Sequence, residues 1–260
     1  VALTAGARAE HNPYTGTEWL PTLRLSWHVA PAQFVWAAAS RTVRAPSRLD
    51  VDAFVPGRPP YLLRGGAAVR AEVARVLELG YRGQPVQGVS YSVTAFHNRY
   101  DDLRTQEIDP SRTFVTFASQ MKGKARGLEM WGSVQATPGW RISAGLTALH
   151  QAFWLKPGSN DVAGPRAARK DPKYTAQLRS TWDIADGQQA EIAWRRVGAL
   201  DYPAVPAYTA VDARYLWSVR PGLDVIVAGQ NLNGSHAEYG PLQWRTQVQR
   251  TLALRVVWRR

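Results

Sequence analysis

The sequence predicts an all-β protein whose antiparallel strands form part of a transmembrane β-barrel. Three observations predict this fold. Apolar and polar residues alternate over runs of about ten residues, as in strands that face lipid on one side. Tight turns alternate with long polar loops along the chain. Aromatic residues cluster beside the tight turns, which is typical of the girdle at a membrane interface.

The clearest alternation lies near the C-terminus. One set of alternate positions is mostly apolar or aromatic, and it comprises Thr209, Val211, Ala213, Tyr215, Trp217 and Val219. The positions between them, mostly polar, are Ala210, Asp212, Arg214, Leu216 and Ser218. The turn Arg220-Pro221-Gly222 follows, and the pattern resumes in residues 223–230 and 252–258. Such repeats joined by tight turns predict an antiparallel meander.

The same pattern predicts about 12 strands of the length that a tilted barrel strand needs. In chain order they cover residues 1–9, 23–29, 34–38, 77–82, 89–95, 127–136, 140–146, 174–184, 189–196, 209–219, 223–230 and 251–258. Long connections are predicted at 10–17, 41–71, 101–112, 155–172 and 200–206. Because short turns lie between them, all the long loops should emerge at one rim.

Aromatic residues are predicted to form a girdle near the short-turn ends of the strands, on the apolar set of positions. They are Trp27, Phe34, Trp36, Tyr81, Tyr91, Trp140, Trp182, Tyr215, Trp217 and Trp258. A soluble β-sandwich or propeller is the alternative. A sandwich core gives no reason to place Trp and Tyr beside one set of turns.

Composition narrows the function classes. The 260 residues include no cysteine, which excludes disulfides and thiolate chemistry. No apolar run reaches the ~18 residues of a spanning helix. The net charge of +12 would suit nucleic acid, but no recognition motif accompanies it, so no nucleic-acid partner is predicted. Val1 begins inside an alternating run without a leader, which predicts that the natural N-terminus lies upstream.

Several stretches, in order, resemble the C-terminal part of TonB-dependent outer-membrane receptors. They are residues 40–48 (SRTVRAPSR), 77–82 (LELGYR), 94–103 (TAFHNRYDDL), 127–129 (GLE), 208–214 (YTAVDAR), 229–232 (GQNL) and 236–240 (HAEYG). The family barrel closes with 22 strands, so residues 1–260 would be the C-terminal part of such a barrel. The family's plug domain and TonB-binding segment are N-terminal and absent here.

Such barrels usually end on an aromatic residue, whereas Trp258 is followed by Arg259 and Arg260. Either Trp258 serves as that assembly signal, or the chain inserts poorly.

The resemblance implies an active-transport receptor in the outer membrane of a Gram-negative bacterium. Its substrate would be a scarce nutrient, foremost a ferric siderophore, and TonB would supply energy through the missing N-terminal region. Further expected partners are outer-membrane lipid and lipopolysaccharide, and the chain should be a monomer without a cofactor or an enzymatic activity. A passive porin-like or adhesion barrel stays open as an alternative. So does an outer-membrane hydrolase with His97, beside Asn98, or His150 as base.

The candidate ligand-binding residues form a basic segment at the long-loop rim, because guanidinium groups bind carboxylate or phosphate. They are Arg41, Arg44, Arg48, Arg58, Tyr61 and Arg64. Contacts with lipopolysaccharide phosphates or a solvated loop are alternative roles. The polar strand positions are predicted to face the lumen and the plug, and they are Glu78, Arg82, Glu129, Arg179, Glu191, Arg195, Asp212, Arg214 and Arg255. His11, His97, His150 and His236 share no metal-ligand spacing, so no metal site is predicted.

Overall fold

A computed structural model of the chain describes residues 1–259. Its strands are β1 (Ala2–Asn12), β2 (Gly16–Ala30), β3 (Gln33–Arg44), β4 (Phe54–Val55), β5 (Leu63–Arg64), β6 (Glu72–Val86), β7 (Val89–Ile108), β8 (Val115–Thr137), β9 (Trp140–Leu155), β10 (Tyr174–Ala185), β11 (Gln188–Val197), β12 (Tyr208–Arg220), β13 (Leu223–Gln230) and β14 (Thr251–Trp258). The one α-helix in these residues is α1 (Arg48–Asp52), and short 3-10 helices occur at Pro165–Ala168 and Leu242–Trp244. None of the described helices has the length and apolar character needed to cross a membrane.

Twelve long strands form one antiparallel meander in the order β1, β2, β3 and then β6 to β14. The all-β antiparallel prediction and the predicted number of long strands are confirmed. The two-residue strands β4 and β5 lie in the β3–β6 connection, and β5 pairs in parallel with β8. Within residues 1–259, β1 pairs with β2 and β14 with β13, but β1 and β14 do not pair with each other.

The two ends of the strands have different connections. At one end, the turn rim, five two-residue turns lie at 31–32, 87–88, 138–139, 186–187 and 221–222. Gly88, Gly187 and Gly222 adopt φ of 81°, 71° and 81° there, a conformation that glycine reaches without strain. At the other end, the loop rim, the connections are 13–15, 45–71, 109–114, 156–173, 198–207 and 231–250. The predicted asymmetry of short turns and long loops is confirmed except between β1 and β2, where the predicted loop 10–17 is only residues 13–15 because both strands extend farther than predicted.

Strand register divides the side chains between two faces of the sheet. On the first, the apolar face, one row across six adjacent strands is Leu25, Ala37, Leu79, Ala95, Leu128 and Ala148. Residues one position away in each strand point to the opposite side, which we call the polar face. The sheet therefore has the alternation that a membrane strand requires, with apolar groups on one side.

Eight of the ten aromatic residues predicted for the girdle lie on the apolar face near the turn rim, but Phe34 and Trp36 do not. Trp36 pairs with Ser26 and Gly80, and Phe34 pairs with Arg82, so both lie on the polar face. The prediction was wrong for these two residues. Residues 34–39 of β3 are all apolar, so the alternation could not assign its faces. A Cβ at Gly80 would lie 2.2 Å from the Trp36 ring, so the indole occupies the space that this glycine leaves.

Strands β7 and β8 extend farther at the loop rim than the sequence predicted. Residues 101–108 belong to β7 rather than to a loop, and β8 begins at Val115 instead of Gly127. β7 alternates irregularly there, with register shifts between Tyr100 and Thr105, so it lacks the pattern by which membrane strands are predicted. In β8 the residues Val115, Phe117 and Met121 do alternate with other residues, and Phe117 and Met121 are buried.

Loop 45–71 folds onto the part of β8 that faces it at the loop rim. Buried residues of this contact include Val69 and Ala71 from the loop and Phe117 and Met121 from β8. The backbones approach so closely that a Cβ at Gly66 would lie 1.7 Å from the carbonyl oxygen of Phe117. The loop is therefore packed against the strands at the rim and presents fixed side chains there.

Candidate ligand-binding cavity at the loop rim

The six predicted ligand-binding residues do not form one cluster. Arg41 and Arg44 lie at the end of β3 rather than in a loop, and because they are three residues apart they face opposite sides of the sheet. Arg44 lies on the polar face and Arg41 on the apolar face. The remaining four, which lie in loop 45–71, are Arg48, Arg58, Tyr61 and Arg64. Whether any of the six contacts a ligand stays a prediction.

Arg44 belongs to a network of alternating charges on the polar face. Its Nε and Nη2 donate to the two carboxylate oxygens of Glu72, at 2.8 and 2.7 Å. Arg104 Nη1 donates to Asp50 Oδ1 at 2.6 Å, and Arg44 Nη1 lies 3.6 Å from Asp50 Oδ2. Bidentate and charge-assisted bonds of this kind fix side-chain geometry. The network joins α1, β3, β6 and β7.

Asp50 is the centre of this network and is 1% exposed. Burial opposes its ionisation, but hydrogen bonds from Arg104 and from the backbone and hydroxyl of Ser47 outweigh burial and lower the pKa of Asp50 to about 2. Ser47 and Asp50 also form the capping box of α1, in which the Asp50 carboxylate accepts from the Ser47 backbone at 2.9 Å. The carboxylate thus holds loop 45–71 against β7.

A cavity of about 470 Å³ opens beside this network on the polar face. Arg44, Glu72 and Arg104 form one wall, and the lining includes Tyr100, Phe153 and Gln151. The rings of Tyr100 and Phe153 are stacked with centroids 6.4 Å apart. Gly123 makes room for them, since its Cβ would lie 2.4 Å from the Phe153 ring. The volume is within the range of small-molecule sites. The rings and the Arg104 guanidinium suit a planar ligand with acceptor oxygens, and the carboxylates of Glu72 and Asp171 also line the cavity.

Tyr61 and Arg64 are brought together by an aromatic cluster in loop 45–71. The Arg64 guanidinium lies 5.4 Å from the ring of Phe54, 5.5 Å from that of Tyr61 and 5.1 Å from that of Phe114. Cation–π contacts stabilise by about 0.5–1 kcal/mol each at exposed sites. Arg64 therefore helps to hold the loop against the start of β8. Arg48 has a weaker contact, an ion pair of 3.9 Å with Asp52.

A second polar cluster lies at the loop rim between β11, β12 and loop 231–250. The rings of Tyr208 and His236 stack with centroids 4.0 Å apart, and His236 Nε2 lies 2.9 Å from Glu238 Oε1. Arg195 Nη2 donates to the same oxygen at 3.2 Å. The hydrogen bond with His236 lowers the pKa of the Glu238 carboxyl. No role was predicted for His236 from the sequence, although it belongs to the HAEYG motif, which could have indicated one.

The nine residues predicted to face the lumen all lie on the polar face, as the register shows. Within this set, Arg179 Nε lies 3.6 Å from Glu191 Oε1, and Arg214 is directly opposite Glu191 in the neighbouring strand. Arg82 lies over the ring of Trp131 at 5.8 Å. Their contact with a plug domain stays a prediction.

The two histidine residues considered as catalytic bases, His97 and His150, both lie on the apolar face. His97 lies on the apolar face, and Asn98, one residue later in the same strand, lies on the polar face. They cannot act as an adjacent pair, which corrects that hypothesis. His150 is paired with Arg126 on the apolar face. No group of three or more His, Asp or Glu residues suited to a metal ion occurs in residues 1–259.

The antiparallel meander, its apolar face and the cavities at the loop rim define a β-barrel protein of the outer membrane. The family model described as "TonB dependent receptor-like, beta-barrel" matches residues 1–232. The chain therefore belongs to this family, as its sequence motifs predicted, and is located in the outer membrane of a Gram-negative bacterium.

Named relatives agree with this assignment. The iron-regulated outer membrane virulence protein of Vibrio cholerae is 24% identical over 264 aligned positions, which cover 92% of this chain and 39% of that protein. The ferric enterobactin receptor of Pseudomonas aeruginosa, in a mutant form, has a TM-score of 0.76 at 18% identity over 98% of this chain and 42% of that one. A siderophore receptor of the same organism has a TM-score of 0.70 at 19% identity, with the same coverage. The chain thus spans well under half the length of these relatives.

Proposed function

We propose that residues 1–260 form the C-terminal part of a barrel that takes up a ferric siderophore across the outer membrane. In this proposal an N-terminal plug gates the lumen, and TonB supplies energy from the inner membrane. The protein is a monomeric transport receptor and not an enzyme. Family membership and the names of the relatives, one of which is an iron-regulated protein, support the proposal.

The cavity lined by Tyr100, Phe153 and Arg104 is the observation that carries this proposal. It lies on the polar face at the loop rim, which is the extracellular rim in bacterial outer-membrane barrels. A ligand that arrives from outside would meet it before the lumen. Stacked rings offer a surface for the flat groups of an aromatic chelate, and Arg104, whose Nη1 is bonded to Asp50, offers its remaining donors to the oxygens of the chelate. A ferric catecholate fits this combination of a flat, aromatic and negatively charged ligand.

The test measures iron uptake by cells from which the chromosomal gene containing this sequence has been deleted. The complete gene is then supplied on a plasmid, and cells with and without the plasmid are compared. Uptake of radiolabelled iron is measured with a ferric catecholate, with and without an intact tonB gene. The proposal predicts uptake that requires both genes. Uptake that persists without TonB would favour the passive porin-like alternative, and a receptor that takes up only a corrinoid would contradict the substrate class.

The variant Phe153→Ala sharpens this test. Loss of one stacking partner should reduce uptake at low chelate concentration by about tenfold, which corresponds to about 1.4 kcal/mol of binding free energy. The matched control is Trp154→Ala, because Trp154 is the next residue and its ring faces the apolar side, beside Lys124. Equal loss in both variants would show that the cavity does not bind the chelate.

A further inference from the structure

A row of cationic side chains crosses the apolar face near the loop rim. Register places Arg41 opposite Arg75, Arg75 opposite Arg99, and Arg99 opposite Lys124, in four adjacent strands. Neighbouring strands lie about 4.8 Å apart. The next row toward the turn rim continues with His97, Arg126 and His150. Only cationic residues occupy this row in β3, β6, β7 and β8, on the side of the sheet that is otherwise apolar.

Within the described chain, Arg41 is the one member of this row that pairs with an acidic side chain. Arg41 pairs with Glu18 at 2.7 Å, and Lys124 lies over the Trp154 ring at 5.7 Å. Arg99 has a long contact of 3.4 Å with His97, and in residues 1–259 neither Arg75 nor Arg99 has a carboxylate partner. Like charges directly opposite each other destabilise a strand pair. An external anion among them would remove that repulsion.

The height of the row coincides with one edge of the apolar band. Arg99 and Tyr91 are eight residues apart in β7, which is about 27 Å of strand. The Tyr91 ring lies tilted against that of Tyr81, with centroids 5.4 Å apart, near the turn rim, where the aromatic girdle lies. Barrel strands tilt by about 35–45° and their apolar band is about 25 Å tall. A tilt of about 35–45° reduces these 27 Å of strand to about 19–22 Å along the membrane normal. The backbone of the row therefore lies just inside the loop-rim edge of the band, and the long cationic side chains reach the lipid headgroups there.

An apolar trough leads away from the row across the same face. Small side chains of β3, Ala37 and Ala39, lie between Leu23 and Leu25 of β2 and Leu77 and Leu79 of β6. Two adjoining grooves of about 520 and 460 Å³ follow this trough. The first includes Arg41, Arg75 and Arg99, and the second is lined mainly by Ala and Leu. One end of the trough is thus cationic and the rest is apolar.

We infer that this face binds a phosphorylated lipid of the outer leaflet, such as lipopolysaccharide. Its phosphate lies between Arg75 and Arg99, and one acyl chain lies in the trough over Ala37 and Ala39. Guanidinium groups bind phosphate through paired hydrogen bonds, and the adjoining apolar trough favours an anion that also has an acyl chain over a free anion. The inference requires only the outer-membrane location and does not depend on the transported ligand. It also gives Arg41 a place beside lipid, rather than in the cavity on the polar face.

The test uses the complete receptor purified from outer membranes in mild detergent. Native mass spectrometry measures the fraction of receptor that retains diphosphorylated lipid A after titration with that lipid. The double variant Arg75→Gln/Arg99→Gln should weaken binding by about tenfold or more. The control is Arg24→Gln/Arg179→Gln, which removes the same charge from the polar face and should bind as the wild type does. Equal binding by both double variants would overturn the inference.

A second variant tests the acyl chain and separates a lipid from a free anion. Ala39→Leu fills the trough but leaves the cations in place, so lipid A binding should fall. The receptor should remain folded on SDS gels that are run without heating the sample. Inorganic phosphate should compete with lipid A only weakly. If Ala39→Leu binds normally and inorganic phosphate displaces the lipid, the row is a simple anion site and the lipid assignment is wrong.

Discussion

Two sets of arginine residues lie on opposite faces of the adjacent strands β3, β6 and β7, and they differ in their partners. On the polar face, Arg44 and Arg104 are bonded to Glu72 and to the buried carboxylate of Asp50. On the apolar face, Arg75 and Arg99 have no carboxylate partner in the described chain. The first set holds a loop and forms the wall of a cavity, whereas we infer that the second binds an anion from outside the chain. The partner of a cation, more than its position in the sequence, thus indicates its function.

The largest expected effect comes from displacing loop 45–71, which carries Asp50, from its contact with β8. A Cβ at Gly66 would lie 1.7 Å from the Phe117 carbonyl oxygen, so Gly66→Ala should displace loop 45–71 from β8. Trypsin should then cleave the loop at least about tenfold faster on intact cells, because a locally open segment is a protease substrate. Gly57→Ala is the control, since its Cβ meets nothing within 4 Å. Equal cleavage rates in the two variants would contradict the packing described.

Removing the charge of Asp50 alone should have a smaller effect. Asp50→Asn leaves Arg104 without its carboxylate partner and should cost about 2 kcal/mol of local stability, less than for a fully buried pair because Arg104 is partly exposed. Hydrogen exchange of residues 48–55 in the intact receptor measures this loss. Arg48→Gln is the control, because the ion pair of Arg48 with Asp52 is exposed and long. Exchange that is equally fast in both variants would show that Asp50 does not hold the loop.

The same contact predicts a pH dependence. The pKa of Asp50 is lowered from 3.8 to about 2, so its contribution is complete above about pH 4 and is lost as the pH falls through about 2. Pepsin, which is active in acid, should cleave loop 45–71 of the wild type more readily as the pH falls from about 4 to about 2. In Asp50→Asn, pepsin cleavage should already be fast at pH 4. A wild-type loop that resists pepsin equally at both ends of the interval would refute this role.

The smallest expected effect concerns the apolar face. Arg75→Gln removes one of several like charges, so in detergent without lipid it should leave the free energy of unfolding unchanged or raise it by about 0.5 kcal/mol. Arg44→Gln should lower it, by under about 1 kcal/mol, because Glu72 loses its bidentate partner. Thermal melts of the purified receptor compare the two. Destabilisation by Arg75→Gln in the absence of lipid would show that the row is stabilised within the chain.

The fold could be predicted from the sequence wherever a strand has lipid on one side. In β12 to β14 the alternation and the Pro-Gly turn define strands, faces and rim together. The prediction fails where that physical constraint is absent. Residues 101–108 lie beyond the apolar band and alternate irregularly, so they looked like a loop. In β3 consecutive apolar residues hide the face of Phe34 and Trp36 until register with β2 assigns it.

The candidate sites were harder to predict because they depend on register and on loop packing. The sequence indicated Arg44, but not that Tyr100 and Phe153 would stack beside it across Gly123. The row from Arg41 to Lys124 joins residues that are far apart in sequence and meet only through strand pairing. No motif marks such a row. Pairing partners would have to be known before its charges could be recognised as neighbours.

The most direct test of this division between the two faces is a cryo-electron microscopy structure of the complete receptor, purified from outer membranes and saturated with a ferric catecholate. The account predicts density for the chelate on the polar face, against Tyr100, Phe153 and Arg104. It also predicts phosphate density on the opposite face, between Arg75 and Arg99. A chelate bound elsewhere, with the cavity filled only by solvent and no density at the cationic row, would contradict it.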